Sequence, residues 1–265
     1  MNQIVFGNYL PGNSWIHRLN PVLKIIASLL LISWTLIANN LFNYGFLIVF
    51  IGIEVFFTGI NLKIILKAIK PFIWLIGFTV IMQILFANQG PILFSWGIFK
   101  ITQTGINLAI LIFFRFLLII IQATVLTLTT SPNSIAFGVE KMISPLKKLG
   151  IPVETVGIMI SIALRFVPTL IEELYTIMEA QKSRGVIFGS GSLIKRCKSI
   201  SALIIPILVS SFRHADNLAD SLEASGYDST KPRSSFRKNE WRISDTIALA
   251  LSVLVGVVVF VLRSF

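Results

Sequence analysis

The sequence predicts an all-α, polytopic membrane protein, with about five transmembrane helices and long amphipathic helices on their cytosolic side. Two observations predict it. Of the 265 residues 55% are hydrophobic and only 13% charged, and the mean hydropathy is +0.83. Such a chain cannot bury its apolar surface in one water-soluble core and needs lipid around it. The apolar residues are also gathered into runs near the ~20 residues that a spanning helix requires.

The runs fall at about 21–38, 41–60, 71–87 and 106–128, with a fifth at 243–262. Residues 1–20 are polar and Gly/Asn-rich, without the apolar run and small-residue site of a cleavable signal. Lys63, Lys67 and Lys70 crowd the connection between the second and third runs. Asn39, Asn40 and Asn43 mark the first connection, and the stretch 88–99 is uncharged and carries Trp96. The basic connection suits the cytosolic side and the uncharged ones the outer side. Seven of the 23 basic residues precede residue 131 and fifteen lie in 131–242, together with ten of the 12 acids. The expected division is therefore N-terminal transmembrane helices in 1–130, a cytosolic region with two long amphipathic helices in 131–242, and a final transmembrane helix in 243–265. The expected location is the cell membrane, with the N-terminus and the 131–242 region cytosolic and the C-terminus external.

Glu54 and Arg115 are ionisable residues inside apolar runs, a position that raises a functional question by default. Neither belongs to a relay-like series, so the expectation is that Glu54 lies near a cytosolic end and that Arg115 faces the bundle with a polar partner. The formal charge of +11 does not point to nucleic acid, because the basic residues are mixed with acids beside membrane helices and no recognition motif accompanies them. The single cysteine, Cys197, excludes an intramolecular disulfide, and two histidines, His17 and His214, cannot build a histidine-based metal site or triad.

Within 131–242, Ser131 and Pro132 read as an N-cap and first helical position. A short helix is expected to about residue 149, ended by Gly150-Ile151-Pro152. A long pattern follows from about 153 to 184, some 45 Å at 1.5 Å per residue. Its first half is apolar. Its second half has Leu170, Ile171, Leu174, Ile177 and Met178 on one stripe and Glu172, Glu173, Thr176 and Glu179 opposite. A second long pattern runs from about 199 to 225, with Ile204, Leu208, Phe212, Ala215, Leu218 and Leu222 as the apolar stripe. Pro168 and Pro206 are expected to kink the two helices. Neither helix reads as an uninterrupted spanning run.

Both patterns stop at a small residue, a variable residue and a glycine: Ser183-Arg184-Gly185 and Ala224-Ser225-Gly226. An arginine–glycine stop is an ordinary way to end one helix, since glycine takes the left-handed cap and arginine complements the helix dipole. The repetition after a second long helix favours a docking role for both tips. Arginine suits it, because its planar fork pairs with a carboxylate through two parallel hydrogen bonds.

Several motifs in order then resemble the transmembrane T-component of energy-coupling factor transporters, the EcfT/CbiQ-like family. They are His17-Arg18-Leu19-Asn20-Pro21, Thr129-Thr130-Ser131-Pro132, Ser144-Pro145-Leu146-Lys147-Lys148-Leu149-Gly150-Ile151-Pro152, and Ala163-Leu164-Arg165-Phe166-Val167-Pro168-Thr169-Leu170. Ala180-Gln181-Lys182-Ser183-Arg184-Gly185 and Leu222-Glu223-Ala224-Ser225-Gly226-Tyr227 complete the set. The resemblance covers nearly the whole chain. It implies a non-catalytic subunit whose two coupling helices bind two cytosolic ABC ATPases, while another face binds a membrane-embedded substrate-binding S-component. ATP and Mg would be bound by the ATPases and no cofactor by this chain. The substrate would be a vitamin, or else cobalt or nickel. The family carries arginine at both tips, so Ser225 departs from its pattern. A serine offers no charge and no fork. The second tip would then lean on Tyr227, Lys231 or Arg233, and the unequal tips favour two different ATPases.

Two other function classes compete. Asp216 and Asp220, four apart on one helix, suggest an Mg-dependent transferase, but a second carboxylate cluster is missing from the sequence pattern. A scaffold or receptor that docks a soluble protein remains the other alternative. The stretch Gly189-Ser190-Gly191-Ser192-Leu193-Ile194-Lys195 lacks the closing Gly-Lys-Ser/Thr of a phosphate loop and reads as a linker.

Overall fold

A computed structural model describes residues 9–87, 90–96, 99–149, 153–189, 192–228 and 241–263. The helices are α1 (Pro21–Ile37), α2 (Leu41–Thr58), α3 (Leu62–Ile69), α4 (Ile73–Phe86), α5 (Gln103–Thr129), α6 (Pro132–Ile143), α7 (Val153–Ser183), α8 (Leu193–Ala224) and α9 (Ile243–Arg263). Short 3-10 turns cover Lys70–Phe72 and Ser144–Leu149. The architecture is that of an all-α polytopic membrane protein. The chain divides into two compact units, Met1–Met142 with Lys238–Phe265, and Ile143–Arg237.

In the first unit α5 packs against α1, α2, α3 and α4, and α9 packs against α1 and α2. The core is built from Leu31, Leu47, Ile51, Val55, Leu118, Val125, Val255 and their neighbours. On α2 the buried residues Tyr44, Leu47, Ile51, Val55 and Thr58 recur every three or four positions, while Phe42, Phe56 and Phe57 are exposed on the other faces. A helix that is apolar all round suits lipid on its outer side. Close approach of α1 and α9 depends on Gly256, where a Cβ would sit 2.1 Å from Cε2 of Trp34.

The start of α1 is held by side chains. Asn20 caps it, its Oδ1 accepting from the Val22 amide at 3.0 Å, and Pro21 takes the first helical position. The Asn20 amide donates to Asp245 Oδ1 at 2.9 Å, and Asp245 Oδ2 accepts from the Arg242 amide at 2.8 Å, so one carboxylate ties the starts of α1 and α9. Lys24 Nζ donates to the His17 and Thr129 carbonyls, both at 3.0 Å, which adds the end of α5 to the same cluster. At the other end of α1, Arg115 of α5 donates through Nε to Tyr44 Oη at 2.9 Å and through Nη2 to the Ala38 carbonyl at 3.0 Å. Arg115 thus faces the bundle with polar partners, as the sequence suggests.

Among the described residues, five helical stretches are long and apolar enough to cross a membrane: Leu41–Thr58, Leu62–Phe86, Gln103–Thr129, Thr155–Ser183 and Ile243–Arg263, with Pro21–Ile37 as a shorter apolar helix. Three differences from the sequence reading stand out. Lys63 and Lys67 lie inside helix α3 and Lys70 in the 3-10 turn after it, where Pro71 follows without ending the helical course. The connection after α4 carries an antiparallel hairpin, β1 (Ile92–Trp96) with β2 (Phe99–Thr102). And α7 contains a spanning stretch after all, because between Thr155 and Ile171 its only charge is Arg165.

In the second unit α7 and α8 pack against each other, and both remain continuous through Pro168 and Pro206. The expected α7 stripe is its half-buried side, with Glu172, Thr176 and Glu179 exposed. α8 starts at Leu193, six residues earlier than expected, so Arg196 lies within it. Its packing differs too. Leu203, Ile207, Ser210, Ser211 and His214 are half-buried, whereas Ile204, Leu208 and Phe212 of the expected stripe stay 49%, 51% and 68% exposed. The expected break at Gly150-Ile151-Pro152 lies outside the described residues.

Gly256→Ala should lower thermal stability by about 1–3 kcal/mol through overpacking against the indole. Replacing Trp34 with leucine in the same chain should recover part of that loss in a melting assay. His17 generates a second expectation. Its Nε2 donates to the Leu10 carbonyl at 3.1 Å, and its Nδ1 lies 2.6 Å from Ser14 Oγ. Burial pushes its pKa below the usual 6.5, opposed by the Leu10 hydrogen bond and reinforced by Lys24. The unfolded chain then binds the proton more readily. Stability from this site is complete above about pH 6.5 and declines as pH falls through the lowered folded value. His17→Gln should flatten that acid-side slope in melting curves measured from pH 7.5 to 5.

Candidate functional site: two helix tips

The tips of α7 and α8 share one backbone geometry. After α7, the Gly185 amide donates to the Lys182 carbonyl at 2.9 Å and the Val186 amide to the Gln181 carbonyl at 3.0 Å. After α8, the Gly226 amide donates to the Glu223 carbonyl and the Tyr227 amide to the Leu222 carbonyl, both at 2.9 Å. Gly185 has φ +87° and Gly226 φ +75°. Each tip is therefore a Schellman stop, with glycine in the left-handed position and the loose carbonyls of the last turn satisfied. Arg184 and Ser225 occupy the same place in it, the residue before the glycine.

Their side chains differ in what they offer. The Arg184 amide is bonded to the Ala180 and Gln181 carbonyls, but its exposed side chain donates to no described residue, so its guanidinium is free for a carboxylate. Ser225 is also exposed, but its hydroxyl donates to the Leu222 carbonyl of its own helix at 2.8 Å. That leaves lone pairs and no donor. Ser183 likewise donates to the Glu179 carbonyl at 3.1 Å. Ala224 and both glycines are exposed, and Tyr227 is 38% exposed. Lys231 and Arg233 lie outside the described residues.

Where the two helices meet, Glu173 of α7 accepts from Ser210 Oγ and stands 3.4 Å from His214 Nε2 of α8, while the His214 ring lies 6.0 Å from that of Phe166. The sequence pattern places Glu173 on the face opposite the apolar stripe. A polar residue can face a neighbouring helix when that helix supplies its partner, and single-helix periodicity is blind to this. Asp216 and Asp220 are exposed on α8, and His214 pairs with Glu173 rather than with them. Among the described residues no group of three or more His, Cys, Asp or Glu is arranged to hold a metal ion. Cys197 is exposed.

The family profile described as cobalt transport protein, CbiQ, matches residues 12–236. The energy-coupling factor transporter transmembrane protein EcfT of Streptococcus equi subsp. equi is 43% identical over 264 residues, covering 100% of this chain and 98% of its own. A protein of Listeria monocytogenes described as EcfT 1 is 42% identical, covering 100% and 99%, and the EcfT of Bacillus subtilis is 40% identical, covering both chains fully.

Because both tips need a left-handed residue, Gly185→Ala and Gly226→Ala should each destabilise its helix end by about 1 kcal/mol, although a Cβ at either position meets nothing within 4 Å. Amide hydrogen exchange should speed up at Val186 in the first variant and at Tyr227 in the second, with the remainder of each chain unchanged.

Proposed function

The chain belongs to the CbiQ family, which includes the EcfT transmembrane proteins of energy-coupling factor transporters, and from this we propose that it couples cytosolic ATPases to a substrate-binding S-component. The observation that carries the reading is the pair of exposed, geometrically equivalent tips on two long helices. Each tip is a rigid end that projects one side chain beyond its last hydrogen-bonded turn. In this reading the tips of α7 and α8 plug into grooves on two ABC ATPases. Those subunits bind ATP and Mg, and this chain is non-catalytic. Closure of the ATPases displaces the tips, and that motion releases substrate from an S-component in the membrane. The exposed apolar face of α8, with Ile204, Leu208 and Phe212, supports contact with the S-component. The substrate is a vitamin or another micronutrient. The tips, and with them the N-terminus, lie on the cytosolic side and the C-terminus on the outer side.

The coupling is unequal in this proposal. Arg184 offers a charge-assisted, two-pronged hydrogen bond, whereas the Ser225 hydroxyl is turned onto its own helix. The two ATPases are accordingly two different chains.

Purification from the native membrane in mild detergent tests the assignment. Wild type should bring down two ATPases and a small, very hydrophobic protein, and Arg184→Glu should lose the ATPases together with ATP-driven uptake. Arg184→Ala should weaken ATPase assembly about tenfold or more, and Ser225→Ala less than about threefold. Equal losses would overturn the asymmetry. Recovery of one soluble protein without ATPase motifs would favour a docking scaffold instead.

A further inference from the structure

The stretch Leu62–Phe86 runs through α3 and α4, and its only charges are Lys63, Lys67 and Lys70. Its 25 residues extend about 37 Å, more than the ~30 Å of a hydrocarbon core, so one end reaches the headgroup layer. The lysines mark which end. They recur at intervals of four and three on one face of the helical course, while Ile65 and Ile69 on another face are buried against the bundle. Trp74, four residues after Lys70, is 83% exposed, as suits a side chain at the lipid–water boundary. Beside the lysines lies an open groove of about 910 Å³ between α3, the turn that follows it and α5. Tyr9 and Leu10 add to its wall, where the Leu10 amide donates to the Leu128 carbonyl at 3.0 Å. Most of the lining is apolar, with Ile64, Phe72, Ile120 and Leu128, and Lys67 stands among them.

We propose that this groove holds an anionic phospholipid, with an acyl chain along its apolar wall and the phosphate at Lys63, Lys67 and Lys70. Lys67 belongs to both parts, because it lines the groove and is the middle member of the basic row. Charge complementarity selects the headgroup. Residues 55–139 contain no acid, and among the described residues none of the three ammonium groups is in an ion pair or hydrogen bond. The flanking acids are Glu54, whose Oε1 accepts from Gln122 Nε2 at 3.3 Å, and Glu140 on α6, and neither is paired with a lysine of the row. Each lysine near a membrane surface attracts anionic lipid, and an adjoining apolar groove turns that diffuse attraction into a site. A zwitterionic lipid brings its own cation towards the row, and a soluble anion leaves the apolar wall unfilled. The site is independent of the helix tips.

The test uses the full-length chain in mild detergent, with native mass spectrometry counting bound phosphatidylglycerol or phosphatidylcholine of identical acyl chains. The wild type should bind phosphatidylglycerol about tenfold or more tighter than phosphatidylcholine, and added salt should erode only that difference. Lys63→Gln, Lys67→Gln and Lys70→Gln combined should abolish the preference, and all three lysines are exposed, so the fold does not depend on them. Ala68→Trp fills the groove that Ala68 lines and should weaken both lipids about tenfold with the basic row intact. In the native membrane, the photo-crosslinker benzoylphenylalanine in place of Ala68 should capture phospholipid. Equal affinity for the two lipids, an unchanged preference in the triple variant, undiminished binding by Ala68→Trp, or capture of a polypeptide instead of lipid would overturn the site.

Discussion

Helix α1 is shorter than the layer it sits in, and the rest of the first unit is arranged around the consequence. Its 17 residues extend about 25 Å, below the ~30 Å of a bilayer's hydrocarbon core. The last carbonyls of a helix have no partner within it, and lipid offers none. Arg115 and Tyr44 meet them. The guanidinium reaches Ala38 from α5, and the Tyr44 hydroxyl lies 3.1 Å from the same carbonyl and 3.3 Å from that of Thr35. Tyr44 stands in the first turn of α2, so satisfying α1 also fixes where α2 starts and which face of α5 it sees. A positive side chain at the negative end of a helix dipole is favourable on its own account. The charge inside an apolar run is thus a structural answer to a short helix.

The opposite end of α1 is resolved by the same logic with other groups. Asn20, Lys24 and Asp245 connect the starts of α1 and α9 to the end of α5, and Lys24 and Asp245 are 8% and 1% exposed. Paired charges of this kind are tolerated because each has both an opposite charge and backbone partners. The Asn20–Asp245 bond joins residues 225 apart in sequence, which is why no local pattern announces it. Gly138 of α6 lies in the same region, where a Cβ would meet Ile25 at 2.7 Å.

What could be read from the sequence follows from the range of the interaction behind each feature. Apolar runs announce α2, α5 and α9, because lipid acts on each helix separately. Caps are equally local: Ser131 before Pro132, Gly185 and Gly226 all have the roles their residue types imply. The failures come where a neighbour decides. Lys63 and Lys67 look like a loop, yet long side chains can carry a charge away from a helical backbone. The packed face of α8 departs from its apolar stripe at Ile204, Leu208 and Phe212, because Glu173 makes Ser210 and His214 the better face to pack. The Glu54–Gln122 pair lies on two helices and emerges only when they are brought together. The hairpin after α4 leaves no strong alternation in its short sequence.

The tips separate two requirements that a motif runs together. The backbone of a Schellman stop demands glycine at one position and is indifferent to the residue before it. Conformation therefore constrains Gly185 and Gly226 alike, while nothing in either cap selects arginine or serine. The caps have the same hydrogen-bond pattern, with matching distances and both glycines left-handed, so the difference between Arg184 and Ser225 cannot be traced to the fold. In the proposed function it reflects what each tip touches. An arginine fork is useful only against an acid, and a serine already bonded to Leu222 is suited to close packing against a surface that asks for no charge. Two equal ends with unequal side chains fit the proposed docking of two dissimilar partners through one mechanical design.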